Sequence, residues 1–305
     1  YAGFNEQDEA RFIVEQIQSW TDEGNTRRSS AILYRSNAQS RVIEEALIRV
    51  GLPYRIYGGQ RFYERLEIRN ALAYLRLMIG RGDDPALERV INTPTRGIGS
   101  KTIDELRAVA RENGISMWQA IGLVQERGLH AARARSSLAG FAALINELDS
   151  ETLELPLEEM VEHIIHRTGL IDFHKAEKGE RGQARVENLE ELVSAAKTFR
   201  AEDDTLSPLQ QFLDSAALDA GDSQADPYED SVQMMTLHSA KGLEFPLVIL
   251  AGLEENLFPH RMSVEEPGRL EEERRLAYVG ITRAQQKLLI TYAESRRLHG
   301  SETYN

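Results

Sequence analysis

At 305 residues the chain is long enough for two cores of ordinary size. It has no cysteine, which excludes a disulfide framework, a thiolate metal site and an iron–sulfur cluster. A net charge of −13 argues against a uniformly basic nucleic-acid binder but leaves room for a local basic stripe. No apolar run is long enough to span a bilayer, and the first residues lack a signal-peptide layout, so the cytoplasm is the expected compartment and no membrane partner is expected.

Residues 5–23 read as an amphipathic helix, with Phe12, Ile13, Ile17 and Trp20 at helical spacing and acidic residues in its first turn. Ala31–Tyr34 is a short buried strand. A helix over 38–50 closes at Gly51, and Tyr54–Tyr57 is a second strand ended by Gly58 and Gly59. From about 64 to 220 the texture is helical, with helices over 65–80, 101–112, 116–127, 134–150, 156–168, 185–199 and 207–219. Polar stretches at 200–206 and 220–231 read as loops. A βα pattern then resumes: strands at 232–237 and 246–252, a helix over 269–283 and a strand over 287–292. One parallel α/β domain split by an all-α insertion accounts for this order, with segments 1–60 and 229–305 forming the first and 61–228 the second.

Between the apolar runs at 232–237 and 246–252 lies a polar insert, His238-Ser239-Ala240-Lys241-Gly242-Leu243-Glu244. Strands apolar on both faces belong to buried parallel sheets, and loops at their carboxyl ends are where such sheets bind ligands; the plainer reading is a solvated turn. No phosphate cradle of the form G-x-x-x-x-G-K-[ST] is present. Its nearest match, Gly97-Ile98-Gly99-Ser100-Lys101-Thr102, has serine before the lysine and no strand ahead of it. The same string places two glycines at the start of a helix, where free N–H groups meet the positive dipole end, with Arg96, Lys101 and Arg107 adding charge. It reads either as a phosphate-gripping hairpin or as an ordinary turn. His163 and His166 share a helix face without a third metal ligand, and the acidic runs Asp203–Asp204 and Glu271–Glu273 read as solvated faces.

The segment 234–245, Met-Met-Thr-Leu-His-Ser-Ala-Lys-Gly-Leu-Glu-Phe, is followed by 272–284, Glu-Glu-Arg-Arg-Leu-Ala-Tyr-Val-Gly-Ile-Thr-Arg-Ala. In this order and separation the pair strongly resembles motifs V and VI of the UvrD/Rep/PcrA group of superfamily 1 DNA helicases. The resemblance covers essentially the whole chain and implies the second RecA-like domain of a P-loop NTPase (2A) carrying its helical insertion (2B). It implies that Arg283 contacts the γ-phosphate of ATP and that Glu244 holds the ribose. It also implies that Thr236, His238, Lys241, Arg35 and Asn37 line a single-stranded DNA path. The hairpin, with Arg96, Gly97, Gly99 and Lys101, then grips duplex DNA. The activity implied is ATP-dependent 3′-to-5′ unwinding in DNA repair. By the same resemblance the phosphate cradle and the Mg2+ ligands are expected in an N-terminal RecA-like half, and the motif IV arginine in a segment upstream of Tyr1. Repair proteins are further implied partners, and by itself the chain is expected not to hydrolyse ATP. A non-catalytic duplex-binding module and the helicase part of a RecB/AddA-like nuclease are the alternatives.

Overall fold

The computed structural model describes residues 1–221, 225–226, 228–265, 268–298 and 301–304. Of the predicted loop over 220–231, residues 222–224 and 227 lie outside the described residues. Two compact units are formed, one from Tyr1–Arg65 with Leu218–Asn305 and one from Leu66–Ala217.

The first unit begins with β1 (Ala2–Gly3), α1 (Glu6–Asp22), β2 (Ser30–Tyr34), α2 (Ser40–Arg49) and β3 (Tyr54–Ile56). The second runs α3 (Leu66–Ile79), α4 (Asp84–Val90), α5 (Ser100–Asn113), α6 (Met117–Glu126), α7 (Ala132–Thr152), α8 (Leu157–Arg167), α9 (Leu170–Lys175), α10 (Glu180–Thr198) and most of α11 (Pro208–Gly221). The chain re-enters the first unit as β4 (Val232–Thr236), β5 (Phe245–Leu250), α12 (Arg261–Glu265), α13 (Arg269–Ile281) and β6 (Ala284–Ile290). It ends with β7 (Tyr292–Ala293), β8 (Ser295–Leu298) and β9 (Ser301–Tyr304).

Strands β3-β4-β2-β5-β6 form a five-stranded sheet, parallel throughout. Because side chains alternate along a strand, β2 sends Ile32 and Tyr34 to one face, where Ile13, Ile17 and Trp20 of α1 and Val42 and Leu47 of α2 cover them. Ala31 and Leu33 point to the other face, onto Met235, Leu237, Leu250 and Leu276 of α13. Both faces are covered, which is why these strands read as continuous apolar runs. α13 lies so close to the sheet that a Cβ on Gly280 would come within 2.6 Å of Leu237 Cδ2 and 2.9 Å of Leu250 Cδ2. The unit is laced shut by Arg296, whose buried guanidinium bridges Glu9 of α1 and Glu254 after β5.

The helical unit follows the same sequence logic with shorter pieces. α4 is capped by Asp83, which accepts from the Ala86 N–H, and has Pro85 in its first turn. It and α9 are too short to impose a visible period, and the sequence did not announce them. α10 begins at Glu180, five residues before the expected start, because Gly182 lies inside its first turns. A Cβ there would meet the backbone oxygens of His174 at 2.5 Å and Glu177 at 2.7 Å, so only glycine fits. β6 likewise starts at Ala284, earlier than expected, since its exposed Gln285 and Gln286 belong to an edge strand and interrupt the apolar run.

Candidate nucleotide and nucleic-acid site

Three chain segments leave the carboxyl end of the sheet side by side, because β4, β2 and β5 are neighbours. After β4 the backbone turns at once. The Ser239 N–H donates to the Thr236 carbonyl (3.0 Å), the two hydroxyls lie 3.1 Å apart, and Gly242 takes a left-handed φ of +86°. Thr236 is thereby half-buried and shapes the turn, whereas His238 and Lys241 are exposed. Among the described residues no carboxylate pairs with either. After β2 the loop is pinned by Gln39, whose Oε1 accepts the N–H groups of Arg35 (2.9 Å) and Ser36 (2.8 Å) while its amide donates to Ala251 O (3.3 Å). Asn37 opens a short 3₁₀ turn, half-buried, and its carbonyl accepts from Arg65 (2.9 Å).

Arg35 does not offer its charge to solvent. Its guanidinium grips the Glu273 carboxylate through Nε at 3.0 Å to both oxygens and Nη2 at 2.8 Å. Glu273 also accepts the His260 N–H (3.0 Å) and the Ser263 hydroxyl (3.0 Å). Burial pushes this carboxyl upward, but Arg35, the His260 N–H and Ser263 together outweigh it and hold the group below the usual carboxylate range. The expectation of a solvated Glu271–Glu273 run is therefore corrected at Glu273, whose side chain is only 4% exposed and shares a face of α13 with Leu276 and Gly280. That three- and seven-residue spacing was the available signal, and the surrounding charges masked it. Arg274, on the opposite side, is exposed and pairs with Glu271 (2.6 Å).

Arg283 sits just past α13 and is held entirely by uncharged oxygens: Nε to Val279 O (3.0 Å), Nη1 to Leu243 O (2.9 Å) and Nη2 to Thr282 Oγ1 (3.1 Å). No carboxylate among the described residues neutralises it. Glu244, on the next residue after Leu243, is exposed and accepts from Gln285 (3.1 Å), so a cation and a carboxylate lie near each other at the sheet margin without pairing. Such an arrangement suits a ligand with an anionic end and a hydroxyl-bearing end. A guanidinium meets phosphate oxygens in a bidentate fork, and an ionised carboxylate accepts hydroxyl protons strongly. Among the described residues no cluster of three or more His, Cys, Asp or Glu offers a metal site.

In the helical unit Gly97 adopts φ +74° and Gly99 caps α5 with no side chain over the helix end. Lys101 projects into solvent, its side chain 90% exposed, with Glu105 at 3.8 Å. Arg96 turns inward. It donates to the carbonyls of Val90 (3.1 Å), Pro94 (3.0 Å) and Thr168 (3.1 Å) and lies against the rings of Tyr74 and Phe141. Arg107 is held by Glu88 (2.8 and 3.0 Å) and Asp104 (2.8 Å). His163 pairs with Glu151 (2.7 Å). Of the charges read from the sequence at the hairpin, Lys101 is the most exposed, while Arg107 is engaged by two carboxylates.

A parallel sheet covered on both faces, interrupted in sequence by an all-α insertion and carrying its polar loops at the carboxyl edge, is an open α/β architecture of the class that binds ligands at that edge. The chain belongs to the UvrD-like helicase C-terminal domain family, whose model matches residues 1–295. It is 57% identical over 308 residues to DNA helicase II of Escherichia coli, and 44% identical over 314 residues to the ATP-dependent DNA helicase PcrA of Bacillus subtilis. The whole chain aligns in both comparisons, yet it spans only 43% and 42% of those relatives' lengths.

Proposed function

We propose that this chain is the C-terminal half of an ATP-dependent DNA helicase that steps 3′ to 5′ along single-stranded DNA and opens duplex during repair. In this reading the α/β unit is 2A and the helical unit is 2B. The observation that carries it is the state of Arg283, a full positive charge fixed in place by neutral oxygens at the sheet margin beside an exposed Glu244. A cation already neutralised by a carboxylate would have little left for a phosphate; this one is preorganised and unspent.

ATP would arrive with a magnesium ion that screens phosphate charge and is held by residues outside this chain. Arg283 stabilises charge that builds on the transferring phosphoryl group, and Glu244 orients the ribose. Lys241 and His238 hold the strand at the end of β4, while Thr236 shapes their turn and Arg35 and Asn37 bound the neighbouring loop. Gly97, Gly99 and Lys101 grip duplex phosphates without reading sequence, and Arg96 braces them from behind.

The test is steady-state ATPase kinetics of the full-length protein at saturating single-stranded DNA. Arg283→Ala should lower kcat by a factor on the order of 10³, and Arg283→Lys should not restore it, because an ammonium lacks the planar fork. Glu244→Ala should raise KM for ATP and leave kcat near the parental value, since a ribose contact is the same in ground and transition states. Near-parental kcat for Arg283→Ala overturns the assignment.

A further inference from the structure

Glu273 accepts from Arg35, the His260 N–H and the Ser263 hydroxyl at the sheet's carboxyl edge, and the nucleotide reading above gives it no task. It lies near the start of α13; Arg283 lies just beyond the helix's end, about 15 Å further along at 1.5 Å per residue. The near end of α13 is bolted to the loop after β2 by the three-contact Arg35–Glu273 pair and to α12 by the Ser263 hydroxyl. The far end is held to the motif after β4: Gly280 rides against Leu237 and Leu250, and Arg283 donates to Leu243 O. A helix fixed at both ends in a close-packed core moves as a body or not at all. The loop after β2 is itself tied by Gln39 to the end of β5.

We propose that Arg35 and Glu273 form a positioning pair that conveys the state of the loop after β2 to Arg283 through α13. This inference rests on the reading of Arg283 as the phosphate-facing arginine. Arg35 then serves the strand path indirectly. A strand settling against the Arg35–Asn37 loop shifts the guanidinium, the bidentate grip carries Glu273 with it, and α13 brings Arg283 to its working position. The contact is suited to this because a fork gripping both carboxylate oxygens transmits orientation as well as distance, and because it is shielded from the salt that screens surface pairs.

The experiment uses the full-length protein and three readouts: kcat without DNA, kcat at saturating single-stranded DNA, and single-stranded DNA affinity. Glu273→Gln keeps shape and removes the charge. Its DNA-stimulated kcat should fall about tenfold, within the usual range of coupling between two sites. DNA-free kcat and DNA affinity should stay close to those of the parent. The double variant Arg35→Gln/Glu273→Gln should be no worse than either single one, because the two act as one unit. Unchanged DNA stimulation in Glu273→Gln overturns the pair, as does a parallel fall of both rates together with the melting temperature. Weaker DNA binding and a shallower salt slope in Arg35→Gln, additive with Glu273→Gln, would make Arg35 a direct phosphate contact and also overturn it. Should Glu273→Gln fail to fold, the same split measured on Glu273→Asp, which keeps the charge but shortens the reach to Arg35, decides. Arg283→Ala run alongside separates the two levels. Turnover surviving there defeats the phosphate reading itself; turnover lost there but untouched in Glu273→Gln defeats only the pair.

Discussion

The carboxyl edge of the sheet and the glycine hairpin of the helical unit each present positive charge from a chain whose net charge is −13. Each carries arginines that look alike in sequence, and in each place one of them, Arg35 or Arg96, is turned inward. At the sheet edge Arg35 is neutralised by a buried carboxylate, whereas Arg283 is held by neutral oxygens and keeps its charge. At the hairpin Arg96 is also held by neutral oxygens, but with two aromatic rings against it and three carbonyls around it. Being unpaired is thus not enough. An arginine serves a ligand when its holders leave a face open, and it serves the fold when they surround it. Lysines make the simpler case, since Lys241 and Lys101 stand exposed at the two places.

The sharpest contrast between the units lies in their close-packed glycines. Gly182→Ala drives a methyl into backbone oxygens, which cannot move aside, and should cost about 3 kcal/mol or more of the helical unit's stability. Gly280→Ala meets only the far ends of Leu237 and Leu250, which can swing, and should cost about 1 kcal/mol. Urea melts of the two variants rank them; an equal or reversed ranking breaks the packing account. Next comes the hairpin. Arg96→Ala strands three carbonyls and should cost about 2 kcal/mol in the same melts, whereas Lys101→Ala should leave the melt unchanged. Lys101→Ala should instead reduce the slope of log duplex affinity against log salt by about one unit. If Arg96→Ala leaves stability intact and lowers the slope, Arg96 is a phosphate contact after all.

The smallest effect is acid-dependent. Arg35, the His260 N–H and Ser263 overcome burial to hold the Glu273 carboxyl below its ordinary value, and the Arg107 hydrogen bond does the same for Glu88 in the helical unit. A carboxylate with a depressed folded pKa contributes stability that is present above its unfolded pKa of about 4.3 and is lost as pH falls through the folded value. Melts between neutral pH and about pH 3 should therefore lose less stability in Glu273→Gln than in the parent. High salt should erase the corresponding Glu88→Gln difference, because that pair is exposed, and leave the Glu273 difference standing.

The order of elements was legible because burial writes itself into composition. Strands covered on both faces read as unbroken apolar runs at β2, β4 and β5, and helices packed on one face read at their own period. The left-handed positions at Gly51, Gly58 and Gly242 were marked by glycine, where chain chirality leaves few alternatives. Motifs after β4 and along α13 were legible as strings, and with them the family. What the sequence could not carry was which charges cancel. Glu273 sat in a run of three acids and looked solvated, and the strings around Arg35 and Arg96 gave no sign of the carboxylate and carbonyls that hold those two guanidinium groups. Each was decided by a partner remote in the chain: Glu273 for Arg35, 238 residues away, and the Thr168 carbonyl for Arg96, 72 residues away. Local propensity and periodicity are set within a few turns of chain, whereas the availability of a charge is set by whatever the fold brings within 3 Å of it.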